Sequence, residues 1–94
     1  MDEQKVFKNV PVEPDTKILG RAYADFDGIP VLVENWFWDG ISASSAIVPL
    51  ESLKAAGMDS AAMVEILKET LKIEGETTEK ETGGFLFLNF NFQT

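Results

Sequence analysis

Two corners constrain how this chain can fold. The phrase Phe26-Asp27-Gly28-Ile29 recurs as Trp38-Asp39-Gly40-Ile41, and each Asp-Gly pair stands between apolar, β-rich runs. A two-residue type I′ turn needs positive φ at both central positions, and Asp and Gly tolerate that best. Each phrase therefore predicts a tight hairpin, and the two in succession predict a three-stranded antiparallel meander over residues 17–48.

Two-residue loops also set the register. In the first hairpin Phe26 faces Ile29, Ala24 faces Val31, Ala22 faces Val33 and Ile18 faces Phe37, all on one side of the sheet. On the other side Tyr23 meets Leu32, Arg21 meets Glu34, Leu19 meets Trp36 and Lys17 meets Trp38. The only arginine thus falls beside a glutamate, a favourable cross-strand pair. In the second hairpin Val33 meets Ala46 and Val31 meets Val48 on the first side. Trp38 meets Ile41, Trp36 meets Ala43 and Leu32 meets Ile47 on the second. The first side carries Gly20, Ala22, Ala24, Ser42, Ser44 and Ala46, small enough for a helix to lie close. The second side is aromatic, and neither side is polar enough to lie fully open to water.

From Pro49 the period changes. Pro49 suits the first turn of a short helix over Leu50 to Ala56 that Gly57 can terminate. Asp59 reads as an N-cap, with Met58 and Met63 at hydrophobic-staple spacing. The spacing then predicts the main helix over residues 60–73, with Met63, Ile66, Leu67, Thr70 and Leu71 on one face and Gly75 ending it. Residues 74–84 read as an acidic connection closed by Gly83-Gly84. In the polar N-terminal segment, residues 1–15, Val6, Lys8, Val10 and Val12 suggest a short edge strand, where Pro11 and Pro14 are tolerated.

The last ten residues form a strand, with Leu86, Leu88, Phe90 and Phe92 on one face and Phe87, Asn89 and Asn91 on the other. It holds no charge and no proline, so a free edge there would invite aggregation. It must be paired on both sides, by the first meander strand and the N-terminal segment or by a second copy of the chain. The second option makes Phe85, Phe87, Asn89 and Asn91 a candidate homodimer interface. The order is (β)βββααβ, a single small α+β domain over residues 1–94: a three-stranded antiparallel meander, a short and a longer helix and a C-terminal strand, with the helices packed on the sheet.

Composition enters chiefly as exclusion. The 94 residues include 8 basic and 16 acidic ones, a formal net charge of −8, with no cysteine and no histidine. Disulfide scaffolds, cysteine nucleophiles, Cys/His zinc sites and histidine general bases are thereby removed. Direct nucleic-acid binding is not expected of so acidic a chain with one arginine. The acidic start at Met1–Lys5 lacks the basic and apolar stretches of a signal peptide, and no apolar run approaches the roughly 18–20 residues that span a bilayer. A soluble, cytoplasmic protein without membrane contact is expected.

Catalytic chemistry finds little footing. Asp25-Phe26-Asp27-Gly28 imitates the opening of a calcium loop, but the fifth and twelfth positions are Ile29 and Trp36, which cannot ligate. No pair of carboxylates converges in the register above, and Gly83-Gly84 is not followed by the lysine and hydroxyl of a phosphate loop. No metal, cofactor or enzymatic activity is expected.

The aromatic side admits two readings. In one, the usual fate of large aromatics, the chain's own helices cover Trp36 and Trp38. In the other, the helices cover the small-residue side and leave Tyr23, Trp36 and Trp38 as anchors for another protein, with Asp25, Asp27, Glu34 and Asp39 favouring a basic partner. No motif carries a family resemblance. In its properties the chain is similar to small acidic proteins that act by occupying another protein: phage-encoded inhibitors such as anti-CRISPR and anti-restriction proteins, whose carboxylates mimic nucleic-acid phosphates, and also immunity proteins and antitoxins. A non-enzymatic inhibitor of a basic, nucleic-acid-binding surface is the function expected. A small assembly subunit pairing through Phe85–Phe92 and a small-molecule pocket are the alternatives.

Overall fold

The computed structural model describes residues 6–11 and 14–90. Strands β1 (Lys17–Phe26), β2 (Ile29–Trp38) and β3 (Ile41–Pro49) form the meander. Helices α1 (Leu50–Ala55) and α2 (Ser60–Thr70) follow, then a hairpin of β4 (Thr77–Thr82) and β5 (Phe85–Phe90). The antiparallel sheet runs β1-β2-β3-β5-β4. The fold is α+β, with helices on the sheet.

Both Asp-Gly corners are tight reversals. Asp27 and Gly28 adopt φ of 54° and 89°, and Asp39 and Gly40 adopt 50° and 78°, the positive pairs a type I′ turn requires. The first corner is further held by Asp25, whose carboxylate accepts the Gly28 N–H at 2.6 Å. The register that follows places Arg21 beside Glu34, Tyr23 beside Leu32 and Trp38 beside Ile41.

One part of the register is corrected. A bulge at Leu19 pairs Ile18 with Trp36 and Lys17 with Phe37, where uniform alternation had set Ile18 against Phe37, Leu19 against Trp36 and Lys17 against Trp38. The extra residue turns Ile18 onto the aromatic side and leaves Leu19 outside the ladder. Gly20, a glycine within a strand pattern, is the residue that marks such a break.

Helix α2 begins at Asp59, whose side chain accepts the Ala62 N–H at 2.8 Å. It ends at Thr70, short of the expected residue 73. Lys72 takes φ of 55°, and the Ile73 N–H returns to the Lys68 carbonyl at 3.0 Å, a closure that lets Ile73 pack on the core. The helices cover the first side of the sheet over β2, β3 and β5, where Val31, Ala46, Val48, Met63, Leu67 and Leu88 are completely buried. Ala22 and Ala24 on β1 lie beyond the helices and are exposed.

Residues 74–84 are more than a connection. Thr77–Thr82 is an edge strand, joined to β5 by a two-residue turn at Gly83-Gly84 with φ of 60° and 85°. Its threonines suit a strand, and its Glu79, Lys80 and Glu81 blunt an edge that would otherwise accept another chain. The Ser60 hydroxyl donates to Glu81 at 2.9 Å and ties the start of α2 to this strand. β5 is therefore paired on both sides, as its composition demands, but by β3 and β4 rather than by β1, the N-terminal segment or a second copy. Asn91 and Phe92 lie outside the described residues.

No strand forms over residues 6–10; the chain makes a turn there, with the Val10 N–H on the Phe7 carbonyl at 3.3 Å, and Val12 lies outside the described residues. Phe7 is buried against Leu32, Ile47 and Phe85 on the second side of the sheet. Among the described residues no helix is long and apolar enough to cross a membrane.

Burial along α2 sorts its side chains sharply: Leu67 is inaccessible and its neighbour Ile66 is 36% exposed. Leu67→Ala should cost about 3 kcal/mol in urea denaturation by opening a cavity between helix and sheet. Ile66→Ala should change stability by about 0.5 kcal/mol or less.

Candidate functional site

The helix-free side of the sheet is capped at one end and forms a cleft at the other, which Pro11, Pro14 and Thr16 of the N-terminal segment border. At the end near the Asp27 corner, Phe7 caps it, its ring 5.8 Å from that of Tyr23 and 6.2 Å from that of Phe85. Toward the Asp39 corner a cleft of about 640 Å³ remains, with Trp36, Trp38, Phe87, Asn89, Lys80 and Ile18 among its walls. Ile18 reaches the cleft through the Leu19 bulge, which aligns it with Trp36.

The cleft floor is held by a polar relay. The Trp36 indole N–H donates to the Ser45 hydroxyl at 2.9 Å, and that hydroxyl donates to the Asn89 side-chain carbonyl at 2.5 Å. Ser45 is buried, so the relay satisfies groups that would be costly to leave unpaired. It fixes the tryptophan across β2, β3 and β5 and turns a flexible aromatic into a rigid surface. Beside it Glu34, 4% exposed, accepts from the Arg21 Nε at 2.6 Å. That is the only ion pair among the described residues. Lys80 borders the cleft from β4 without a carboxylate partner among the described residues.

The seven residues expected to bind a partner do not form one patch. Glu34, Trp36 and Trp38 line the cleft together. Tyr23 is half-buried against Phe7 and is part of the packing rather than a free anchor. Asp25 and Asp27 belong to the first corner and Asp39 to the second, at opposite ends of the ten-residue β2, about 30 Å apart. Of the residues expected at a homodimer interface, Phe85 is buried under Phe7, Phe87 and Asn89 face the cleft, and Asn91 is outside the described residues. Among the described residues no group of three acidic side chains converges to hold a metal ion.

Sequence reasoning missed Ile18, Ser45 and Lys80 as parts of this surface. Gly20 was the available signal for Ile18. The Ser44-Ser45 pair inside an otherwise apolar strand was the signal for Ser45, since buried hydroxyls need partners. Nothing local announces Lys80, because Glu79, Lys80 and Glu81 give β4 the look of a solvated connection.

The second corner also carries an apolar end. Leu19, Phe37, Trp38 and Ile41 are 60%, 41%, 38% and 49% exposed, and Trp38 and Ile41 are cross-strand partners. Both sides of the meander contribute, because the helices stop short of this end.

Ser45→Ala should cost about 1–3 kcal/mol by leaving the indole N–H without its acceptor, and should alter Trp36 fluorescence while far-ultraviolet dichroism is kept. Arg21→Met should destabilise the fold by orphaning the buried Glu34 carboxylate, and the pairing Arg21→Met/Glu34→Leu should recover most of the loss in the same denaturation experiment.

No family model, no curated protein and no solved structure matches this chain, so what the site can do is argued from its own geometry.

Proposed function

We propose that the protein works by occupying another protein, without catalysis, and that the contact is the apolar end and adjoining cleft of the meander. The observation that carries this reading is the concentration of Leu19, Phe37, Trp38 and Ile41 in exposed positions at one end of a rigid sheet. Large aromatic anchors of this kind dominate interface energetics when a partner desolvates them. The relay behind Trp36 supports the reading too, since an anchor already held in place loses little entropy on binding.

Charge selects the partner. A net charge of −8 steers the chain toward a basic surface such as a nucleic-acid-binding groove. The carboxylates do not stand in a phosphate-like row beside the tryptophans: Asp39 is at this end, Asp25 and Asp27 at the other. The acidic field therefore acts at a distance while the contact itself is apolar. An inhibitor of a nucleic-acid-binding protein, the class that phage-encoded anti-CRISPR and anti-restriction proteins exemplify, is the biological role that fits both features.

The immobilised protein, exposed to extract of its native cells at rising salt, should retain a basic protein that DNA or RNA displaces. Trp38→Ala should abolish that retention with the fold intact, because Trp38 is partly exposed. Retention indifferent to salt and nucleic acid would remove the electrostatic part, and retention unchanged by Trp38→Ala would remove the site.

A further inference from the structure

The sheet has two edges, and they are built differently. β4 presents charge at every position from Glu79 to Glu81, whereas β1 is a ten-residue strand whose charges are spaced. In a two-residue hairpin the residues flanking the turn, Phe26 and Ile29, exchange both backbone hydrogen bonds, and hydrogen-bonded pairs then alternate. Ala24 and Ala22 accordingly bond to β2, while Asp25, Tyr23 and Arg21 direct their N–H and C=O groups away from the sheet. Among the described residues no backbone partner meets those groups.

We propose that this edge pairs with the same edge of a second copy of the chain, antiparallel and centred on Tyr23. Charge complementarity chooses both occupant and register. Centred on Tyr23, the two-fold pair sets Arg21 opposite Asp25 of the partner subunit, twice, and all the outward-facing residues fall into hydrogen-bonded pairs. A centre at Arg21 would oppose two arginines and run the Leu19 bulge into the ladder, and a centre at Asp25 would oppose two carboxylates. Centres at Ala22 or Ala24 leave each charge opposite an uncharged residue or beyond the ladder. In the favoured register Ala22 lies directly opposite the partner's Ala24 on the first side, beyond the reach of the helices, so no bulk obstructs the approach on that side. The two sheets join into one, about six backbone hydrogen bonds close the seam, and the acidic guard on β4 stays at both outer edges. This surface is distinct from the apolar end around Trp38, so the dimer and the partner contact can stand or fall separately.

Sedimentation of the wild-type chain over a wide concentration range should show a monomer–dimer equilibrium. Ala22→Glu/Ala24→Glu alters only exposed positions but opposes like charges across the seam, and should weaken association by about tenfold. Ala22→Glu/Ala24→Lys carries the same bulk and opposes unlike charges, so it should restore dimerisation, and Trp38→Ala should leave it unchanged. A strict monomer at every concentration, a double-glutamate variant that associates like wild type, or a folded Glu/Lys variant that stays monomeric would each overturn the proposal.

Discussion

Positive φ at Asp27, Gly28, Asp39 and Gly40 is the constraint on which the rest of the molecule depends. A type I′ corner sets the register of the strands it joins, here as far as the Leu19 bulge, and a slip of one residue would exchange the two sides of the sheet. Because both corners are tight, Arg21 lands on Glu34, Trp36 on Ala43 and Trp38 on Ile41. The tryptophans are thereby gathered on the side opposite the helices. Without that sorting there would be neither a core under α2 nor an aromatic cleft behind it.

The two sides then meet different fates for a geometric reason. Helices α1 and α2 are short and lie over β2, β3 and β5, where Leu53, Met63 and Leu67 bury the apolar residues of the first side. They leave β1 and the second corner uncovered. On the other side Phe7 from the N-terminal segment caps one end, and the cleft between Trp36 and Phe87 lies beyond it, bordered by Pro11, Pro14 and Thr16. The exposed surface thus marks where the chain's own covering elements run out, and the Trp36–Ser45–Asn89 relay keeps that cleft from collapsing. The acidic residues serve a separate purpose, as a field around the molecule and as a guard along β4.

Legibility followed locality. The corners, the Asp59 cap and the pairing of Arg21 with Glu34 rest on a few neighbouring residues or on alternation counted from a turn, and they were readable from the residues alone. β4 was hidden because glutamate and lysine disguise a strand whose Thr77, Thr78 and Thr82 and following Gly83-Gly84 already pointed to a hairpin. Phe7 was hidden because a polar, proline-bearing stretch gives no periodicity from which to infer its burial. The candidate site was half readable: Glu34, Trp36 and Trp38 do share a cleft. Asp25, Asp27 and Asp39 do not join them, because corners at the two ends of one strand cannot meet.

By itself the chain determined the positions of its Asp-Gly turns, the alternation of the meander strands as far as Gly20 and the class of its fold, since backbone preference at a turn acts within a few residues and propagates through the ladder until a bulge resets it. Which side the helices would cover, which strand would stand beside β5, and where the N-terminal aromatic would settle were decided only by tertiary structure. Those choices compare the burial of whole surfaces against one another, and both sides of this sheet were apolar enough to compete. The sum over distant contacts, rather than any local preference, chose between them.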